Sequence, residues 1–395
     1  MSNIDKAFNA IESFYNRNLA VKKNCCLSSR NRNSGCMRCI EVCPAQCISR
    51  NSEDGSLYFE GEKCLSCGTC ATACPTGALT VKNPSEEDLY QKCLSAAQQN
   101  NGKVVVLCQP LAQRAGTLVD AEKVAVVPCH GRLDESFLLA LVRQGISNVT
   151  LCVDTCNGCQ FEKSVQMAQA VQQNVAALME AWEIQNPLRM VDKIPGSVRA
   201  SKDSYDGMRR GFFSDVKEGF KDAASIGASA VSGNSLDSTF DPEPLEHVNE
   251  EGTLNQSLPL RQTRLIKTLS ELGIPPKETK ITTRLWGQVH VDAEKCQACM
   301  MCATFCPTGA IKRFAHHDGS FGITIQPALC VQCKTCETIC MNGALKVSNT
   351  VRAQYIVKGT KANFRMKERP IKMNQPNTAT LTMRKVLGVE NVFDR

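Results

Sequence analysis

Four runs of cysteine constrain this chain more than any other feature. Cys64-x2-Cys67-x2-Cys70-x3-Cys74-Pro75 and Cys296-x2-Cys299-x2-Cys302-x3-Cys306-Pro307 are complete. Cys330-x2-Cys333-x2-Cys336-x3-Cys340 is complete apart from Met341 in the proline position. The fourth, Cys36-x2-Cys39-x3-Cys43-Pro44, lacks its leading cysteine, and Asn33 stands there. Spacings of two let a loop curl three soft thiolates around one centre, while the fourth cysteine is carried away by the chain that follows. With 24 Cys and 5 His in 395 residues, the choice lies between disulfides and metal. Disulfide frameworks belong to small secreted domains. This chain is long, and Met1 to Lys22 has no apolar core of a secretory signal. The expectation is a cytoplasmic protein with reduced thiols. No apolar stretch reaches the roughly 18 residues of a membrane span, so no direct membrane span is expected. Zinc fits poorly, because two runs of four cysteines without histidine oversupply a tetrahedral ion.

Each run resembles the bacterial-type ferredoxin motif. In that motif three thiolates of a run hold one [4Fe–4S] cube, and the fourth reaches across to a sister cube. The resemblance implies that Cys296, Cys299, Cys302 and Cys340 hold one cluster, and that Cys330, Cys333, Cys336 and Cys306 hold the next. It implies a third at Cys64, Cys67, Cys70 and Cys43. The last has Cys36, Cys39 and Cys74 and needs a fourth ligand. Cys26 is the first choice and Cys25 the second; a three-ligand [3Fe–4S] cluster or a labile iron stays open. Four [4Fe–4S] clusters are therefore expected. Cys47 and Cys93 read as buried free thiols.

The motif Cys-Pro-Thr-Gly-Ala recurs at 74–78 and 306–310, which marks an internal duplication. The expected organisation is an N-terminal helix over 1–24, a dicluster module over 25–83, a central domain over 84–195, a flexible linker over 196–262, a helix with a second dicluster module over 263–349, and a basic tail over 350–395. Modules this small bury too little apolar surface to fold alone, so their clusters serve as core. The central domain alternates apolar runs ending in Cys108, in Pro128-Cys129 and in Cys152 with amphipathic helices, the pattern of a parallel sheet. The fold class is thus two α+β ferredoxin-like dicluster modules with a central α/β parallel-sheet domain between them.

Ligands of open parallel sheets bind beyond the carboxyl ends of the strands. Cys108, Cys129 and Cys152 therefore converge by topology, with Cys156 and Cys159 following in a loop. The pieces Val-Leu-Cys108, Cys129-His130-Gly131-Arg132 and Leu151-Cys152 with Cys156 resemble the iron–sulfur delta subunit of methyl-viologen-reducing hydrogenases. That resemblance implies one [2Fe–2S] cluster on Cys108, Cys129, Cys152 and either Cys156 or Cys159, and a link between a hydrogenase and a disulfide reductase. A cluster-free docking domain and a redox-active Cys156-x2-Cys159 pair are the alternatives.

Net charge is +7, and ten Lys/Arg against three acids fall in 352–395. No base-stacking motif accompanies them, so no nucleic-acid partner is expected. Nor is there a Gly-x-Gly-x-x-Gly run, a Walker A loop or a catalytic triad. The expected function is a multi-cluster relay of single electrons between a catalytic oxidoreductase subunit, of hydrogenase, formate dehydrogenase or molybdoenzyme type, and another redox protein. A self-contained iron–sulfur reductase, with the irregular N-terminal cluster or the central site as its catalytic centre, is the alternative.

Overall fold

A computed structural model describes residues 19–31, 33–52, 55–154, 156–200 and 253–367. The expected N-terminal helix lies outside them as far as residue 18. From there β1 (Leu19–Val21) pairs antiparallel with β4 (Leu79–Val81), and one 3-10 turn follows at Lys23–Cys25. Leu19 is buried and Val21 half-buried, so this stretch packs as an edge of the first module. Between these strands come the short helices α1 (Leu27–Arg30) and α2 (Arg38–Glu41), the hairpin of β2 (Ile48–Arg50) and β3 (Leu57–Phe59), and α3 (Thr69–Ala73). The core here is largely sulfur. Cys26, Cys39, Cys43, Cys47, Cys70 and Cys74 are buried with Ile48, Leu79 and Val81.

The central domain opens with α4 (Glu86–Gln99), whose N-terminus is closed by a reciprocal capping box between Ser85 and Asp88. Next come β5 (Lys103–Cys108), α5 (Gln109–Ala115), β6 (Val124–Val127), α6 (Glu135–Arg143), β7 (Asn148–Cys152), α7 (Glu162–Ala181) and β8 (Leu188–Val191). The strands form a four-stranded parallel sheet in the order β6-β5-β7-β8. Val104, Val106, Val149 and Leu151 face the helical layer of α4, α6 and α7. Val105, Leu107 and Cys152 face the opposite side, toward Leu111 and Val198.

The expected linker is described only at its ends; the helix read at 214–223 falls outside the described residues. Residues 253–259 run extended against the second module. Leu254 N donates to Thr304 O at 2.9 Å and Ser257 N to Pro307 O at 2.8 Å. They lead into α8 (Leu260–Glu271), which lies on α6 of the central domain. Trp182 Nε1 donates to Leu269 O and Gly273 O, at 3.1 and 3.0 Å.

The second module contains β9 (Lys280–Thr282), β10 (Gln288–Val291), α9 (Met301–Thr304), the hairpin of β11 (Ile311–Ala315) and β12 (Phe321–Ile325), α10 (Thr335–Ile339) and β13 (Leu345–Ser348). The exposed His316 and His317 lie in the hairpin turn. The first part of the expected tail belongs to this fold. β14 (Thr350–Arg352) pairs with β9, α11 (Ala353–Val357) follows, and β15 (Ala362–Met366) adds a third strand to the hairpin beside β12.

Leu265, Leu269, Ile281, Leu285, Trp286, Val351 and Ile356 share one apolar cluster with the central helices. The central domain and the approach to the second module are therefore one core. A buried ion pair joins all three parts. The Glu135 carboxylate is fully buried and accepts from Arg284 Nε and Nη2, each at 2.7 Å. Arg284 Nη1 donates to Thr72 O of the first module at 3.1 Å.

Candidate iron–sulfur centres

The three complete cysteine runs share a backbone twist. The residues on either side of the middle cysteine adopt positive φ: Ser66 and Gly68 about Cys67, Ala298 and Met300 about Cys299, Gln332 and Lys334 about Cys333. Side chains rarely take this conformation, at about 1–3 kcal/mol each outside glycine. It coils the loop so that three thiols turn to one centre.

In the second module Cys302 lies within electrostatic range of Cys299, Cys296 and Cys340. Cys336 lies likewise near Cys333, Cys330 and Cys306. A cavity of about 310 Å³ is lined by Cys306, Cys330, Cys333 and Cys336, together with Val289, Ile311 and Val347. In the first module a cavity of about 420 Å³ is lined by Cys43, Cys64, Cys67 and Cys70. The sequence-predicted sets thus come together from runs far apart in sequence. Burial pushes the Cys302 and Cys330 thiols up to about 12. Thiolates buried together in apolar walls need a cationic group among them, and a thiol-only donor set is what an iron–sulfur cube takes. The residues present fit that group.

A fifth thiol enters the first cavity. Cys47 is buried, as expected, and its Sγ lies 3.5 Å from Cys43 Sγ. Its S–H holds Cys43 and Cys64 down to about 6, while its own pKa is driven upward by the same contacts. Spacing does not flag Cys47, because it lies outside the three-thiol loop. Cys93 is buried on α4, with burial pushing it up to about 12 and no other cysteine near.

At the irregular run, Cys39 lies in electrostatic range of Cys74, Cys26 and Cys36, and burial pushes it up to about 12. Among Cys36, Cys39 and Cys74, Cys25 lies in range of Cys74 alone, and its side chain meets Ser257 of the extended segment. Cys26 is in range of both Cys36 and Cys39.

In the central domain a cavity of about 330 Å³ is lined by Cys108, Cys129, Cys156 and Cys159, with His130, Phe161 and Val165. Cys152 is not among its lining residues. Cys152 pairs with Leu107 and shares a buried cluster with it and with Cys108, one of the lining residues. Burial, then Cys108, pushes Cys152 up to about 12. Sequence inspection of the strand ends did not single out His130. Burial lowers it to about 4, so it is neutral, and its Nε2 lies 3.2 Å from Val106 O.

The central site abuts the first module. Cys67, Cys129 and Phe161 form one buried cluster with Leu65 and Cys159 against it. Gly131 makes this possible. A Cβ there would come within 2.5 Å of Thr69 Oγ1 and 2.9 Å of Ser164 Cβ. Thr69 donates to Ser164 Oγ across the seam at 2.8 Å.

Comparison with known proteins agrees with this geometry. The 4Fe-4S dicluster domain family matches residues 34–78 and 280–344. The family of the methyl-viologen-reducing hydrogenase delta subunit matches 111–198. An uncharacterized ferredoxin of Methanocaldococcus jannaschii, MJ0265, is 31% identical over 110 residues, which cover 28% of this chain and 60% of that protein. A second from the same organism, MJ0722, is 38% identical over 63 residues, 15% of this chain and 82% of that protein. A ferredoxin of Streptomyces griseus is 36% identical over 50 residues, 13% of this chain and 46% of that protein. No solved structure matches the chain. Among the described residues no helix is long and apolar enough to cross a membrane. The chain spans less than two thirds of MJ0265, and the dicluster and ferredoxin matches support an iron–sulfur electron-transfer protein with [4Fe–4S] clusters. The chain belongs to the ferredoxins, as a polyferredoxin with a dicluster domain at either end of a domain of the hydrogenase delta-subunit family.

Proposed function

We propose that this chain relays single electrons along one row of iron–sulfur sites, between a catalytic oxidoreductase subunit and a second redox protein. The hydrogenase, formate dehydrogenase and molybdoenzyme types are the candidate catalytic subunits, and the cytoplasm is the proposed compartment. The observation that carries this reading is adjacency. Cys336 of one thiol set lies near Cys302 of the next, Cys70 lies near Cys39, and Cys129 of the central cavity lies near Cys67. We assign the irregular cube to Cys26, Cys36, Cys39 and Cys74. The other three keep the ligands their spacing implies. A [2Fe–2S] cluster is assigned to Cys108, Cys129, Cys156 and Cys159, with Cys159 in place of Cys152.

When bound, such clusters supply one-electron chemistry over a span of roughly −700 to +450 mV. The residues of the chain set where each site falls in that span. Apolar walls such as Val289, Ile311 and Val347 keep water from the sulfurs. The Cys47 S–H is directed at Cys43 and Cys64 and lessens the negative charge there, which favours the reduced state.

Anaerobic purification of the tagged chain from its native host tests this reading. Four cubes and one [2Fe–2S] cluster amount to about 18 iron per chain, and a stoichiometric catalytic subunit should accompany it. A solitary, fully loaded chain that turned over an organic substrate would contradict it.

A further inference from the structure

The two ferredoxin modules meet through a pair of ligand loops, and one arginine spans them. Arg38 is the second residue after Cys36, and Gln332 is the second after Cys330. In each loop the backbone N–H of that residue donates to the cysteine sulfur two places before it, Arg38 to Cys36 and Gln332 to Cys330. Between the loops, Arg38 Nη2 donates to Gln332 O at 2.8 Å. A run of covalent and hydrogen bonds therefore joins a sulfur of the Cys26/Cys36/Cys39/Cys74 site to a sulfur of the Cys306/Cys330/Cys333/Cys336 site. The accepting loop is held from behind. Gln332 is buried, and its Nε2 donates to Thr283 O and Trp286 O. Gly287 lets that segment close on the loop, since a Cβ there would lie 2.9 Å from Gln332 Cγ and 3.2 Å from Cys330 Sγ. Arg38 is half-buried, and its guanidinium is within electrostatic range of Cys36 in one set and of Cys333 in the other. In such a setting a charge acts several times more strongly than in water.

We propose that Arg38 is the bridge between the modules: its charge acts on both sites at once, and its hydrogen bond to Gln332 O is the path by which an electron passes from one ligand loop to the other. This rests on the relay reading above and extends it. It fixes the order of the row: Cys296 set, Cys306 set, the arginine seam, Cys26 set, Cys43 set, central cavity. The transfer moves one electron. The donor site is oxidised by one and the acceptor reduced by one, with no bond formed and no proton moved. A cation shared by two such sites stabilises the extra electron on either. Arg38 thus raises the midpoint potential of both and leaves the sites further along the row unchanged.

The test is a redox titration of the full, anaerobically loaded chain followed by electron paramagnetic resonance. Wild type, Arg38→Gln and Arg38→Lys are compared at equal iron content. Arg38→Gln should shift two of the potentials downward and no others, and Arg38→Lys, which keeps the charge, should restore them. Full iron with no potential shifted in Arg38→Gln, or with only one shifted, would overturn the proposal. If Arg38→Gln loses iron, wild type grown on arginine carrying ¹⁵N in the guanidinium decides by pulsed resonance. A ¹⁵N coupling to a reduced cluster that weakens or disappears in Arg38→Lys is expected. No coupling in wild type, or an identical one in Arg38→Lys, overturns the bridge. Failure of the relay reading itself looks different: dithionite would then leave the wild-type clusters unreduced.

Discussion

In the second module both cysteine loops hold left-handed residues about their middle cysteine, Ala298 and Met300 in one, Gln332 and Lys334 in the other. In the first module only the loop about Cys67 does so. The irregular loop keeps Gly35 in this conformation before Cys36, but Met37 after it has φ −121°. The strained twist accompanies the presentation of three thiols to one centre. Where the leading cysteine is replaced by Asn33, the second twist is relaxed. A thiol from another segment, Cys26, then stands beside Cys36 and Cys39. The irregular site is also the one that meets the other module, through Arg30 and Arg38. Its departure from the motif thus falls where the two modules join.

The largest break in this comparison comes from the regular side. Cys302→Ala should lose one whole cube, about 4 of the roughly 16 cubane irons, and leave the resonance of the first module intact. Unchanged iron would refute the ligand scheme. Arg284→Met, which leaves the Glu135 carboxylate buried and alone, should destabilise the loaded chain by about 3–5 kcal/mol. Urea unfolding followed by circular dichroism measures it, and a loss under about 1 kcal/mol would show that the three parts are not held by this pair.

The irregular site gives a subtler contrast. Cys26→Ala should convert one cube to a three-iron cluster, with its own low-temperature resonance in the oxidised state, whereas Cys25→Ala should not. The reverse result would exchange the two assignments. The smallest effect is expected at Gly131. Overpacking in Gly131→Val costs about 1–3 kcal/mol, and it should weaken the magnetic interaction between the central site and the adjacent cube. An undisturbed interaction would mean that Thr69 and Gly131 do not set that spacing.

Much of the architecture was legible because cysteine spacing and strand-terminal cysteines are local signals. The loops, both hairpins, α4 and the three strands ending near Cys108, Cys129 and Cys152 follow from short windows of sequence. The missed elements depend on remote partners. β8 is four residues long with Arg189 exposed among them, and it forms only because β7 offers an edge. β14 and β15 looked like a basic tail because Arg352, Lys361 and Arg365 point outward, while Val351 and Phe364 pack inward. Residues 253–259 looked like linker because their partners, Thr304 and Pro307, lie some fifty residues on. Strand-end topology pointed to Cys108, Cys129 and Cys152 together but could not tell which face Cys152 takes. That depends on its register against Leu107.

The order of sites is tested most directly by anomalous diffraction at the iron edge from crystals of the anaerobically loaded chain. Five iron peaks in one unbranched row are predicted, from the Cys296 set through the arginine seam to the central cavity. A gap at that seam, with the Cys306 and Cys26 sets far apart or one of them without iron, would contradict the account.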